Sequence, residues 1–357
     1  MMYFTVVLCF TISIIITPFI KKFAYKVGAT DCPNGRKIHD TLMPRLGGLA
    51  IYISFVIGLI ISQPVNPYSS FIFGGSIIVV MTGILDDIFT LSAKLKLIGQ
   101  LIAAALVVIV GGLQVEIINL PFGGGQIELS FLSIPLTILW IVGMTNAINL
   151  IDGLDGLAAG VCCIALLTIS GMAFIMGDLF VLTTGMILLA STLGFLFHNF
   201  HPAKIFMGDT GALFLGYMIS VLALLGFKNV TFISFVVPVI ILGVPISDTV
   251  FAIIRRVVNK KPLSSPDKSH LHHCLLRLGF SHRQTVFLIY AMAAFFGIVA
   301  VIFSQANLWG AFLLLVILLF LVELGAEKIG LMGKNYRPLL KIGHIIRYFY
   351  KKKRYTP

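Results

Sequence analysis

Charge is what this chain has least of. Asp, Glu, Lys and Arg make up only 11% of its 357 residues, where a soluble protein carries about a quarter. Acids are scarcer still, at 14 against 26 Lys and Arg. With 58% hydrophobic residues and a mean hydropathy of +1.03, the composition excludes a water-soluble globule and describes a polytopic membrane protein. The five cysteines lack metal-type spacing: Cys9, Cys162 and Cys163 lie in apolar runs, Cys32 and Cys274 in basic loops. Such an odd set argues against a disulfide framework or a zinc site and reads as small apolar filler. Also missing is a basic stretch ahead of the first apolar run, because Lys21, Lys22 and Lys26 follow it. Met1 to Ile20 therefore reads as a retained first span.

Long apolar runs dominate what is present. A helix needs about 20 mostly apolar residues to cross a bilayer. Eleven runs approach that length: 2–20, 46–63, 71–89, 96–113, 131–149, 157–176, 179–198, 211–227, 231–254, 284–304 and 308–325. The expected fold class is an all-α polytopic membrane protein of about 11 transmembrane helices. It forms one integral-membrane domain over 1–357, with a basic tail at 326–357. Placing the N-terminus outside puts 21–45, 90–95, 150–156, 199–210, 255–283 and 326–357 on the inner face. With residues at the helix ends, these regions hold 25 of the 26 Lys and Arg, leaving only Lys228 outside. The positive-inside rule selects that orientation, with the C-terminus cytoplasmic. The net charge of +12 is then a cytoplasmic basic face suited to anionic lipid and substrates. Division of the basic residues among membrane loops excludes nucleic acid. On the outer side, residues 114–129 alternate around Pro121-Phe122-Gly123-Gly124-Gly125 and predict a small β-hairpin. Lys341 to Arg354 reads as an interfacial basic segment.

The few acids are concentrated. Five fall in three short motifs: Asp86 and Asp87 in Leu-Asp-Asp, Asp152 and Asp155 in Asn-Leu-Ile-Asp-Gly-Leu-Asp-Gly, and Asp209 in Phe-Met-Gly-Asp-Thr-Gly. Carboxylates at membrane helix ends are expensive and usually retained for a task. Several together suggest a hard cation such as Mg²⁺, and Mg²⁺ beside basic loops suggests phosphate chemistry. Asp86 and Asp87 point about 100° apart on a helix, so they cannot do identical work. They could equally be a solvated helix end bonded to Lys94 or Lys96. Asn149, Asp152 and Asp155 are spaced by three and would share a helical face, although Asp-Gly also marks an ordinary turn. In segment 199–211, Lys204 suits a phosphate, Asp209 a Mg²⁺ ion and Phe206 a stacked base; Asp209 also reads as a helix cap. His270-Leu271-His272-His273 lacks the further ligands zinc would want and better suits phosphate or sugar. Arg36, Lys37 and His39 with Arg45 form a basic loop that positive-inside charge alone would explain. Asp248 is expected to pair structurally with Arg255, two turns on.

In this order, the motifs resemble those of the polyprenyl-phosphate N-acetylhexosamine-1-phosphate transferases over nearly the whole chain. They run Arg-Lys-Ile-His with Pro-Arg-Leu-Gly-Gly, Leu-Asp-Asp with Leu-Ser-Ala-Lys, then Asn-Leu-Ile-Asp-Gly-Leu-Asp-Gly, Phe-Met-Gly-Asp-Thr-Gly and His-Leu-His-His. Eleven spans and the His-Leu-His-His form are similar to the WecA/TagO branch, which uses UDP-GlcNAc, rather than to MraY. One departure stands out: Thr90 replaces the third acid of the Asp-Asp-x-x-Asp often found in that branch. It also counts against an isoprenoid-coupling prenyltransferase.

The resemblance implies transfer of GlcNAc-1-phosphate from UDP-GlcNAc to undecaprenyl phosphate, releasing UMP, at the cytoplasmic face of a bacterial inner membrane. It implies Mg²⁺, or Mn²⁺, held by Asp209 with Asp87 nearby, and Asp86 deprotonating or orienting the lipid phosphate. Asn149, Asp152, Asp155 and Phe206 would hold uridine, and Asn199 and Lys94 would serve the phosphates. His270, His272, His273, Arg36 and Arg45 would shape the phosphate and sugar sites. Relatives suggest a homodimer. Direct attack by the lipid phosphate is preferred to a phosphoryl-enzyme. Alternatives are a related transferase using another UDP-HexNAc or UDP-MurNAc-pentapeptide, and a cation-coupled transporter, which would carry its acids near mid-span.

Overall fold

Inside a bilayer no water reaches the backbone, so each amide must be satisfied within its own segment and apolar runs become helices. The computed structural model describes residues 2–31, 42–119, 125–227, 232–262, 267, 269–333 and 336–341. Its helices are α1 (Met2–Val27), α2 (Gly47–Ser62), α3 (Ser69–Phe89), α4 (Ala93–Ala105), α5 (Ser133–Ile151), α6 (Leu157–Met176) and α7 (Leu179–Asn199). They continue as α8 (Gly208–Phe227), α9 (Phe232–Ile241), α10 (Gly243–Val258), α11 (Leu271–Arg277), α12 (His282–Gln305) and α13 (Leu308–Ile329). A wider π turn, Leu106–Val110, extends α4. Polar side chains mark several starts: Asp178 caps α7, Asn307 caps α13, and Ser281 with Gln284 forms a capping box on α12.

Among the described residues, nine helices are long and apolar enough to cross a membrane. The eleven apolar runs all become helical, with two departures. Run 46–63 is α2, only 16 residues long. Run 231–254, expected as one span, is two helices, α9 and α10, separated at Leu242. Pro245 explains the break, since it has no N–H to offer the carbonyl of Ile241 and its ring crowds that carbonyl. The hairpin expected at 114–129 is present: strand β3 (Ile117–Asn119) pairs antiparallel with β4 (Gln126–Glu128). Its turn, residues 120–124, lies outside the described residues, as do Arg36, Lys228 and 342–357. Of the basic tail, residues 326–329 complete α13, and the carboxylate of Glu327 accepts the Leu339 and Leu340 amides at 2.7 and 2.9 Å.

The core is organised on α8, which is buried from Gly208 to Leu225 and packs against α2, α3, α5 and α6. Such close assembly in lipid needs small residues where backbones cross. A β-carbon at Gly48 of α2 would run into the backbone of Gly211, and one at Gly83 of α3 into the backbone of Thr210. These two contacts bring the first turn of α8 against the start of α2 and the end of α3. Gly83→Ala is therefore expected to destabilise the protein by about 1–3 kcal/mol through overpacking. Thermal unfolding in detergent should show a lowered Tm for this variant. Gly171→Ala, on an open face of α6 with no neighbour at its β-carbon, should show none.

Candidate active site

Three of the acidic side chains meet where α3 ends and α8 begins. Asp86 and Asp87 sit in the last turn of α3, Asp209 in the first turn of α8, and carboxylate oxygens of the three lie within 4.8 Å of one another. All three residues are buried, at 4%, 3% and 9% exposure. A carboxylate is disfavoured at a helix C-terminus and favoured at an N-terminus. Asp87 reconciles the two by reaching from the end of α3 to the start of α8. Its Oδ1 accepts the Asp209 N–H at 3.0 Å, and its Oδ2 accepts the Thr210 N–H at 3.0 Å and the Thr210 hydroxyl at 2.7 Å. Asp86 and Asp209 keep the more open oxygens.

Two cations face this cluster. Lys96, in the first turn of α4, places Nζ 2.9 Å from Asp209 Oδ2 and 3.3 Å from Asp86 Oδ2. Arg45 lies 3.7 Å from both Asp87 Oδ1 and Asp209 Oδ1 and 3.8 Å from Asp31 Oδ1. Burial works to lower the pKa of Arg45, but Asp87, Asp209, Asp31 and Asp86 together raise it. The lysine that meets the acids is thus Lys96, while Lys94, to which the resemblance gave the phosphates, is exposed. Positions two apart on a helix point about 200° away from each other, so only one of the pair can face inward.

The segment carrying Arg45 is fastened to the loop after α7. The Arg45 amide donates to Ala29 O at 3.0 Å, while Gly47 and Gly48 donate to Phe206 O and Met207 O at 2.9 and 2.8 Å. Phe206, half-buried, donates to Pro44 O at 2.8 Å. Asn199, the last residue of α7, joins two segments: its Nδ2 donates to Ile205 O at 2.9 Å and its Oδ1 accepts the Gly156 N–H at 3.1 Å. Lys204 is exposed.

Residues 152–156 leave α5 as an irregular loop rather than a helical face, so Asn149, Asp152 and Asp155 diverge. Asn149 is half-buried in the last turn of α5. Burial, with Asp209, Asp87 and Asp155 close by, raises the pKa of Asp152 to about 7 against the opposing pull of Arg45. Asp152 therefore belongs electrostatically with the three-acid cluster. Asp155 instead holds the two loops together, its Oδ2 bonding His201 Nδ1 at 2.7 Å and the Ala203 N–H at 3.1 Å. From α12, the Tyr290 hydroxyl donates to Gly156 O at 2.6 Å and Arg283 reaches His201 O at 3.3 Å. Sequence motifs assigned no site role to His201 or to Arg283 and Tyr290 of α12, because their partners lie far away along the chain.

Asp155, His201 and His282 also bring potential ligand atoms within 4.8 Å. The two imidazoles, however, are stacked at 4.1 Å with planes 21° apart. Ring-nitrogen lone pairs lie in the ring plane, so here they run side by side instead of converging on one ion. This second group is a brace between loops.

The histidine segment approaches from the other side. His272 is buried at 3% exposure, and burial, then His273, pushes its pKa down to about 3. It is neutral at physiological pH. A β-carbon at Gly153 would collide with its Nε2, so the segment presses on the Asp-Gly loop. His273 stacks at a tilt on His272, centroids 4.1 Å apart. Asp248 is not paired with Arg255 as the sequence suggested. It bonds His270 Nδ1 at 2.9 Å, while Arg255 binds Asp267 at 2.6 Å and Leu331 O at 2.7 Å. Asp267, from beyond the end of α10, supplies the carboxylate that Arg255 uses.

An apolar cavity of about 360 Å³ runs along α5, lined by Leu136, Trp140, Met144, Ala147, Ile246 and Val250 among others. It extends from the hairpin side, at Val115 and Leu129, to Ala147, two residues short of Asn149.

Comparison with known proteins agrees with this arrangement. Residues 69–227, which carry all five motif aspartates, match the family described as Glycosyl transferase family 4. The chain is 49% identical over 342 residues to a probable undecaprenyl-phosphate N-acetylglucosaminyl 1-phosphate transferase of Bacillus subtilis (strain 168), covering 94% of this chain and 95% of the relative. It is 34% identical to a decaprenyl-phosphate N-acetylglucosaminephosphotransferase of Mycobacterium leprae (strain TN), covering 84% and 83%. Identity is 29% to an undecaprenyl-phosphate alpha-N-acetylglucosaminyl 1-phosphate transferase of Escherichia coli (strain K12), again covering 84% and 83%. With likeness of this extent and a buried acid cluster at the helix ends, the chain belongs to glycosyl transferase family 4, among the polyprenyl-phosphate N-acetylhexosamine-1-phosphate transferases.

Proposed function

We propose that the protein transfers GlcNAc-1-phosphate from UDP-GlcNAc to undecaprenyl phosphate, giving undecaprenyl-diphospho-GlcNAc and UMP. The observation that carries this reading is the buried acid cluster at the ends of two membrane-length helices, faced by Lys96 and Arg45. A water-soluble donor and a membrane-bound acceptor would meet at such helix ends. The relatives' names contain undecaprenyl phosphate and the N-acetylglucosaminyl 1-phosphate group, which supports the acceptor and the transferred group. Charge asymmetry supports eleven crossings with the N-terminus outside and this site on the cytoplasmic face of a bacterial inner membrane. The product would enter a cell-envelope glycan.

The chemistry is a displacement at phosphorus between two anions. An oxygen of the lipid phosphate attacks the phosphorus bonded to the sugar, the bond from that phosphorus to the bridging oxygen breaks, and UMP leaves with that oxygen. Charge neutralisation and in-line placement matter more than a strong nucleophile. Direct attack fits the cluster better than a phosphoryl-enzyme, because Asp87 already accepts three hydrogen bonds and Asp209 and Asp86 are ion-paired.

The donor set fits Mg²⁺ or Mn²⁺: hard carboxylate oxygens, with no sulfur or imidazole among them. Asp209 would hold the ion with Asp86, in place of the Asp87 that the resemblance implied, because both Asp87 oxygens already accept from Asp209 and Thr210. A bound divalent cation supplies neutralisation of developing phosphate charge. Lys96 and Arg45 neutralise the remaining phosphate oxygens. Asp86 orients the lipid phosphate. Asp152 accepts a hydrogen bond from the nucleotide, with Asn149 and Phe206 beside it, while Asp155 and Asn199 keep the loop in shape. The exposed apolar faces of α1 and α13 leave room for a homodimer in the bilayer.

UMP release by the purified protein with UDP-GlcNAc, undecaprenyl phosphate and Mg²⁺ tests the reading. UDP-MurNAc-pentapeptide, run in parallel, should give far less. Asp209→Asn should lose about 10²–10³-fold in kcat, the scale for removing one preorganised charge-stabilising group. Lys96→Ala should cost much more than Lys94→Ala. A wild type that releases no UMP, or an Asp209→Asn variant equal to it, refutes the assignment.

Asp152 adds a pH dependence. A carboxylate with a pKa raised to about 7 is ionised, and able to accept a hydrogen bond, only above that pH. As pH falls through 7 it takes up a proton and nucleotide binding weakens. kcat/KM for UDP-GlcNAc should therefore rise to a plateau above about pH 7. Measured pH profiles should show this limb removed by Asp152→Asn.

A further inference from the structure

Asp248 is buried at 1% exposure in α10, outside the acid cluster, and none of the roles derived above uses it. Both its oxygens are committed to the histidine segment. Oδ2 lies 2.9 Å from His270 Nδ1, and Oδ1 accepts the Leu271 N–H at 2.8 Å. A carboxylate oxygen accepts here, so His270 donates from Nδ1. His270 is the N-cap residue of α11, and its own side chain caps nothing. The carboxylate of Asp248 thus serves as the cap, supplied from another helix, for the turn on which His272 and His273 ride.

The effect passes on to the loop. The His270 ring runs parallel to that of His272, with planes 5° apart and centroids 6.2 Å apart. His272 in turn rests on Gly153, next to Asp152. A shift of the first turn of α11 would move His272 off the Asp-Gly loop and release the residues that face the nucleotide. Resting on the transferase reading above, we propose that Asp248 is a positioning residue for the nucleotide-sugar donor: acting through His270, it sets His272 against the 152–156 loop.

Asn at position 248 separates this role from simple filling of space. Its one carbonyl oxygen can serve His270 or the Leu271 amide but not both, and its NH₂ then faces a donor. Steady-state UMP release by the full-length protein is the measurement. Asp248→Asn should raise KM for UDP-GlcNAc about tenfold, the lower end of what losing a histidine-orienting carboxylate costs. KM for undecaprenyl phosphate should stay within about twofold, and Asp248→Asn should add less than about twofold in a His270→Ala background, as expected of two residues acting as one unit.

His270→Asn supplies a second arm, independent of whether Asp248→Asn folds. An Asn amide nitrogen takes the place of imidazole Nδ1 and can donate to Asp248. His270→Asn should therefore keep the wild-type KM for UDP-GlcNAc, while His270→Ala raises it. Unchanged donor KM in Asp248→Asn, equal changes for both substrates, additive effects with His270→Ala, or no rescue by His270→Asn would each overturn the proposal. Absence of UMP release by wild type would instead refute the transferase reading itself.

Discussion

The structure depends on one carboxylate joining two helix ends. Asp87 belongs to α3, where the helix dipole opposes a negative charge, yet its oxygens cap the first turn of α8. The unpaired amides of one helix thereby offset the buried charge of another. Asp209 is placed as a result, because its own amide is one of the three donors. Gly48 and Gly83 allow the backbones close enough for the bond to form. Removing the Asp87 carboxylate would leave amides unpaired and Arg45 with one carboxylate fewer, so the site and the central helix stand or fall together.

Beyond that joint the protein holds two contrasting environments. Lys96 and Arg45 hold positive charge against buried acids, while the wall along α5 is apolar as far as Ala147. The loops at 152–156 and 199–207 close the polar side, fastened by Asn199, Asp155 and Tyr290. None of these three needs to touch a reacting atom to matter. They hold both loops in one shape, which would lower the cost of binding a ligand there.

Much of this was legible in the sequence. The apolar runs marked the helices, and two of the aspartate motifs marked the acids that cluster at Asp86, Asp87 and Asp209, because charge is costly in lipid and its position is informative. Spacing was a poorer guide to roles. Asn149, Asp152 and Asp155 looked like one helical face, but α5 ends at Ile151 and the loop turns Asp155 toward His201. Lys94 and Lys96 were equivalent as sequence, and only the packing of α4 on α3 turns Lys96 inward. Pairing Asp248 with Arg255 followed helical spacing and missed the returning loop that carries Asp267 and His270.

The sequence by itself determined the class of protein, its helices, and which acids were worth their desolvation, since hydropathy and charge act residue by residue. Tertiary structure alone decided how those acids divide their work. Whether an aspartate holds a helix end, fastens a loop or keeps open oxygens depends on donors brought to it from distant segments. Asp87 takes its partners 122 and 123 residues away, Asp155 takes His201 from 46 and Asp248 takes His270 from 22. No local pattern encodes such partners, because packing of the helices, and not chain proximity, brings them within hydrogen-bond reach.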